Sequence, residues 1–254
     1  DGGAAFRFLI GPYGSGKTFL IQLLRNYAMD RNFVVADADL SPERRFTGTG
    51  DRGLATYREL MGNMATRTRP DGDALAALLE RWISGVQSRV IKQIGLNPKD
   101  DGFDNEVEAR IYGVVDDLEG MVHGFDFGSV IASYWAGHRN RDEQQKAAAL
   151  RWLRGEYSTK TEARQDLDVR VVIDDDTWYD HLKLFGTLVR SIGYKGLLVF
   201  IDEAVNLYKI RHTVSRTNNY EKLLTMFNDT MQGKVANLGI VVGGTVKILE
   251  EERR

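Results

Sequence analysis

The feature that most constrains this chain is a glycine-rich octapeptide, Gly11-Pro12-Tyr13-Gly14-Ser15-Gly16-Lys17-Thr18, set between two segments of different periodicity. Before it, Phe6-Arg7-Phe8-Leu9-Ile10 is short, β-prone and mostly apolar, and reads as a buried strand entering a loop. After it, Phe19, Leu20, Leu23, Leu24 and Tyr27 recur at helical spacing, which predicts a helix to about Met29. The octapeptide matches G-x-x-x-x-G-K-[ST] in full. Its glycines allow successive backbone N–H groups to turn inward around an anion, where side chains would block the approach or demand unfavourable φ. Lys17 then supplies a point charge to the β and γ phosphates of a nucleotide, Thr18 offers its hydroxyl to Mg²⁺, and the helix turns its positive end toward the site.

A partner for this loop comes late in the chain. Leu197-Leu198-Val199-Phe200-Ile201 predicts a strand buried on both faces, and Asp202-Glu203 follows at its C-terminal tip, where α/β sheets bind ligands. In this reading Asp202 holds Mg²⁺ through water and Glu203 orients and deprotonates the water that attacks the γ-phosphate. Glutamate directly after the aspartate points to P-loop proteins with an added strand between the loop strand and the metal strand, whose members hydrolyse ATP. A GTPase would carry Asn-Lys-x-Asp after a later strand; Asn97-Pro98-Lys99-Asp100 has the wrong order and sits among helices. Thr245, at the end of Leu238-Gly239-Ile240-Val241-Val242-Gly243-Gly244, is placed to sense the γ-phosphate or the attacking water. Arg211 and Arg216 are candidates for an arginine finger toward a neighbouring subunit, against the plainer reading of surface charge. Asp37 and Asp39 end the second strand near the cleft and read first as solvated or helix-start carboxylates. Four scattered histidines and no cysteine leave no metal-ligand spacing.

The rest of the pattern sets the fold class. Residues 33–39 form a second predicted strand, so strand, helix, strand makes a βαβ unit and a parallel sheet, and Ser41-Pro42-Glu43 reads as a helix start. Between 52 and 162 strand-like runs all but vanish, and helices are predicted over 54–68, 74–94, 105–122 and 130–152. Helices are expected again over 177–192, 203–210 and 220–231. The organisation is thus an α/β P-loop NTPase core in two parts, 1–51 and 166–254, around an all-helical insertion over 52–165. A formal net charge of -2 provides no overall field for nucleic acid, so any such contact comes from a local patch. There is no signal pattern and no apolar run of membrane-spanning length, so a cytoplasmic chain without membrane contact is expected.

With these residues in place, the chain resembles the ATP-binding proteins of BREX-type bacterial phage-defence systems. The resemblance rests on the loop 11–18, the strand ending Asp37-Ala38-Asp39 and running into Leu40-Ser41-Pro42-Glu43, and Arg151-Trp152-Leu153-Arg154-Gly155-Glu156. It continues through Trp178-Tyr179-Asp180, Gly193-Tyr194-Lys195-Gly196 leading into Asp202-Glu203, and Gly243-Gly244-Thr245. It implies an AAA+ ATPase core similar to origin-recognition and loader proteins, using ATP and Mg²⁺. It also implies defence-system or DNA-linked protein partners, DNA contact in the full-length protein and possible homo-oligomers. Carried over by position, Lys17 and Thr18 bind phosphate and Mg²⁺, Asp202 assists the metal, and Glu203 is the base. Where the family carries proline after Gly-Gly-Thr, this chain has Val246. A complete AAA+ core also needs a fifth strand and a helical lid, which are expected to be missing before Arg254, as in an excised or shortened member. The competing reading is a non-hydrolysing ATP-bound switch that docks a partner through the helical insertion.

Overall fold

The computed structural model describes residues 2–249. β1 (Ala5–Ile10), α1 (Lys17–Asp30) and β2 (Val34–Asp39) follow one another as the change of periodicity predicts. β3 (Leu197–Asp202) and β4 (Leu238–Gly244) complete a four-stranded sheet in the order β1-β4-β3-β2, with every pairing parallel. β4 therefore separates the loop strand β1 from the acidic strand β3, the added-strand arrangement expected from Asp202-Glu203. Register pairs Ile10 with Gly244 and Asp39 with Asp202, so the strands' C-terminal tips share one edge. Close approach within the sheet uses glycine: a Cβ on Gly239 would lie 2.3 Å from Leu198 Cδ2.

α1 packs on the sheet through Ile21, Ala28 and Met29, which meet Val35 and Phe200 beside Leu198 and Val241. Arg25 lies on the same stripe as Ile21 and Ala28 and pairs with Asp37 at 2.6 Å. The residues that signalled this helix in the sequence lie elsewhere: Phe19 is 75% exposed, and Leu23 and Tyr27 are each 54% exposed. Periodicity located the helix but not its core face.

Several boundaries differ from the sequence expectation. Ser41-Pro42-Glu43 does not begin a helix: the Ser41 hydroxyl accepts from the backbone N–H groups of Glu43 and Arg44, both at 3.1 Å, and so closes a turn. The chain continues irregularly through Gly48 and Gly50, both at positive φ, until α2 (Arg52–Gly62). α2 ends before the expected 68, because Ala65 bridges to Val35 of β2. The helices α3 (Leu75–Ile94), α4 (Phe103–Glu119), α5 (Gly124–Asn140), α6 (Glu143–Leu153) and α7 (Lys160–Leu167) follow, with no named strand among them. The single helix expected over 130–152 is two, because Arg141 adopts φ 57 and Asp142 then caps α6 by accepting from Gln144 and Gln145 N–H.

α8 (Trp178–Ser191) buries Trp178, Leu182, Phe185, Leu188 and Val189, the stripe its spacing predicts. α9 (Val205–Tyr208) is a single turn, and α10 (Thr213–Met231) begins seven residues before the expected 220, over a polar stretch without periodic signal. α10 meets β1 through Phe227, edge-on to Phe6 at 5.7 Å. The chain divides into two compact units. Residues up to 74, 174–190 and from 194 onward carry the whole sheet. Residues 75–173 with 191–193 are helical. In that helical unit Glu80 of α3 ties neighbouring helices together, bonding Tyr134 and Lys146 at 2.8 Å and His138 at 3.0 Å.

Candidate functional site

The P-loop follows from its glycines. Gly11 N–H donates to Gly244 O at 3.2 Å, anchoring the loop to β4, and a Cβ on Gly11 would fall 2.6 Å from Ser15 Oγ. Gly14 and Gly16 adopt φ 75 and 82, which side-chain-bearing residues rarely take. Gly16 stands at the N-cap of α1 with no side-chain cap, so first-turn N–H groups are left to face a ligand. Lys17 folds back over the loop, its Nζ donating to the carbonyls of Gly11 at 3.1 Å and Pro12 at 2.9 Å. Pro12, Tyr13 and Ser15 are exposed along the loop, Tyr13 at 85%.

The acidic half meets this loop directly. Thr18 Oγ1 donates to Asp202 Oδ2 at 2.7 Å, joining positions 184 residues apart. Asp202 is 5% exposed, and its other oxygen accepts from Glu203 N–H at 2.8 Å. Gly243 makes room for this carboxylate: a Cβ there would meet Asp202 Oδ1 at 2.5 Å. Glu203 takes a left-handed backbone, φ 56, unusual for a residue with a side chain and typical of strain held at functional sites. That turn ends β3 and, among the described residues, leaves the Glu203 carboxylate without a hydrogen bond or ion pair.

Lys17, Thr18, Asp202, Glu203 and Thr245 line one cavity of about 340 Å³, with Tyr13, Gly14, Gly16, Val205 and Gly244. Thr245 Oγ1 is buried and has no hydrogen-bond partner, an arrangement that costs energy unless a ligand or water satisfies it. Asp39 pairs with Asp202 in the sheet register but does not line the cavity. Partial desolvation and the carboxylates of Asp202 and Asp37 raise its pKa against the pull of Arg44.

Other sequence candidates lie outside this cavity. Asp37 is engaged by Arg25. Arg216 donates to Ile210 O at 2.9 Å, Arg211 is exposed, and no arginine among the described residues lines the cavity. Among the described residues there is also no cluster of three or more His, Cys, Asp or Glu able to hold a metal. Trp152 is buried at 1% exposure, with Nε1–H donating to Val171 O.

Sequence reasoning missed the groups that brace the flanking loop. Asn219, fully buried on α10, accepts from Phe46 and Thr47 N–H and donates to Thr47 O and Ser215 O. Asp175 accepts from Thr47 Oγ1 and from the N–H groups of Gly48 and Gly53. The only local hint was the Asp174-Asp175-Asp176-Thr177 run just before α8, in which Asp174 accepts from the Thr177 N–H and hydroxyl.

A family model described as BREX system ATP-binding protein BrxC/D matches residues 1–254. Compared with curated proteins and with solved structures, the chain matches none. No described helix is long and apolar enough to cross a membrane.

Proposed function

The chain belongs to the BREX system ATP-binding protein family, and from that premise we propose that it is an AAA+-like P-loop ATPase that holds ATP with Mg²⁺ between residues 11–18 and Asp202-Glu203. The observation that carries this reading is the 2.7 Å bond from Thr18 to Asp202, which joins the two halves of the motif at one cavity. The donor set fits Mg²⁺, which keeps several waters and substrate phosphate oxygens and needs only one or two protein oxygens. Thr18 would supply one such oxygen and Asp202 would hold the ion through water, while Mg²⁺ would neutralise charge developing on the phosphates.

The chain's own groups then divide the work. Backbone N–H groups of the loop and the α1 N-terminus bind the phosphates, and Lys17 swings from the Gly11 and Pro12 carbonyls to the β and γ oxygens. Glu203, turned into the cavity by its left-handed backbone, accepts the proton of the attacking water, and Thr245 Oγ1 finds there the partner it otherwise lacks. The absence of arginine from the described lining favours a second reading for the chain alone: tight ATP binding with slow turnover until a neighbouring subunit contributes a cation. In the cytoplasmic phage-defence setting the family implies, residues 75–173 would dock a protein partner, and DNA contact would belong to the assembly.

Calorimetry with ATP in magnesium buffer tests the reading. Wild type should bind, Lys17→Ala should not, and Glu203→Gln should bind while releasing phosphate about a hundredfold or more slowly. A wild-type chain that takes up no ATP would end the proposal. Normal turnover by Glu203→Gln would remove that residue from its role.

A further inference from the structure

A second cavity, of about 740 Å³, lies in the sheet-bearing unit between the loop after β2 and the segment joining α9 to α10. Arg45, Arg52, Lys209 and Arg211 line it beside Thr47 and Ser215, and among the described residues no carboxylate does. Arg45 and Arg52 are half-buried, and neither guanidinium has a hydrogen bond or ion pair among the described residues. Burial, and then the charge of Arg52, pull the Arg45 pKa down and outweigh the attraction of Glu43, as happens where like charges are held together in a partly dry place. Such cations are normally paired, because an uncompensated charge loses solvation without regaining it.

The wall that holds them is built in advance. Asn219 and Asp175 pin the backbone from 46 to 53 from both sides, and Trp178 Nε1–H donates to Phe46 O at 3.0 Å. Arg45 N–H closes the loop onto Arg52 O at 3.1 Å. Buried hydrogen-bonding groups thus fix the frame on which two unpaired arginines stand, as preorganised sites require. Ser215, in the first turn of α10, brings the positive end of a nineteen-residue helix to the same cavity.

We propose that this cavity is a second anion site, separate from the P-loop, that takes a phosphate group carried either by a nucleic-acid backbone or by a free phosphorylated small molecule. No Phe, Tyr or Trp lines it, so recognition rests on positive charge rather than base stacking. The cavity explains how a chain of net charge -2 presents an anion site at all: the cations are gathered in one place.

The test uses the full chain carrying Lys17→Ala, so that the P-loop takes no part and failure here leaves the ATPase reading untouched. Two probes are titrated: a labelled short single-stranded oligonucleotide by anisotropy, and inorganic pyrophosphate by calorimetry. At least one should bind. Adding Arg45→Gln and Arg52→Gln should weaken it about tenfold or more, while Arg45→Lys with Arg52→Lys keeps most of the affinity. For the strand, losing two contacts should lower the salt-dependence slope by about 1.4, at about 0.7 per phosphate. Binding of the strand assigns the phosphate to nucleic acid, and binding of pyrophosphate alone assigns it to a free ligand. Should the glutamine pair fail to fold, Lys209→Gln on the exposed rim replaces it, with a weaker loss expected. Binding of neither probe, or unchanged binding after removal of these cations, overturns the site.

Discussion

At the scale of single residues, the proposed site turns on a few groups whose local state a bound ligand would explain. Thr245 Oγ1 is buried without a partner. If it exists to meet the phosphate or the attacking water, Thr245→Val should leave the melting temperature unchanged or raise stability by up to about 1 kcal/mol, since an unsatisfied hydroxyl is removed. The same substitution should slow ATP turnover about tenfold, the value of one lost hydrogen bond in the transition state. Melting and phosphate release measured on one preparation check both halves; a variant that loses stability but keeps its rate would make Thr245 a structural residue. Glu203 makes the complementary point. Its left-handed φ is invisible in a dipeptide Asp-Glu and appears only once the chain must turn from β3 toward α9.

Elements were legible wherever their signal is short-range. The strand-loop-helix around residues 11–18 was plain because a strand period, a glycine run and a helix period adjoin within one unit. α8 was read with its correct buried face because its apolar stripe packs on the sheet-bearing unit's own core. α1 was read as a helix, but its strongest apolar positions are exposed, since a short stripe of Ile21, Arg25 and Ala28 contacts the sheet instead. The expected helix start at Ser-Pro-Glu is a turn, because the Ser41 hydroxyl closes it locally on the Glu43 and Arg44 N–H groups, and the irregular chain beyond it is held by Asn219, more than 170 residues away. Asn219→Ala would strand the Phe46 and Thr47 N–H groups in a buried place. It should cost about 3 kcal/mol, read as a fall in urea midpoint, and weaken anion binding at the second cavity. An unchanged midpoint would show that the loop is held by other means.

For the molecule as a whole, Glu80 and Asp39 make stability depend on pH in opposite directions. Burial alone would raise the Glu80 pKa, but hydrogen bonds from Lys146 and Tyr134, with His138 nearby, hold it below the usual range. Its contribution is therefore present above the ordinary glutamate value and lost as pH falls through the lowered one. Asp39 is raised, so its contribution is present below the ordinary aspartate value and lost as pH rises through the raised one. Urea unfolding without added Mg²⁺ should thus find Glu80→Gln less stable and Asp39→Asn more stable than wild type at about pH 7. Both gaps should close on acidification, that of Asp39→Asn below the ordinary aspartate range and that of Glu80→Gln once the pH falls below its lowered value; a gap that persists would contradict these assignments.

What the amino-acid sequence determined by itself was local: a glycine-rich loop between strand and helix, a second strand tipped with Asp202-Glu203, and a long helical stretch between them. Nearest-neighbour periodicity and backbone sterics suffice for that. Tertiary structure alone decided which strand lies between β1 and β3, which face of α1 is covered, the backbone strain at Glu203, and the gathering of Arg45, Arg52, Lys209 and Arg211 around one cavity. Each of these depends on residues far apart in the chain being brought together by parallel strands, whose register no local pattern encodes.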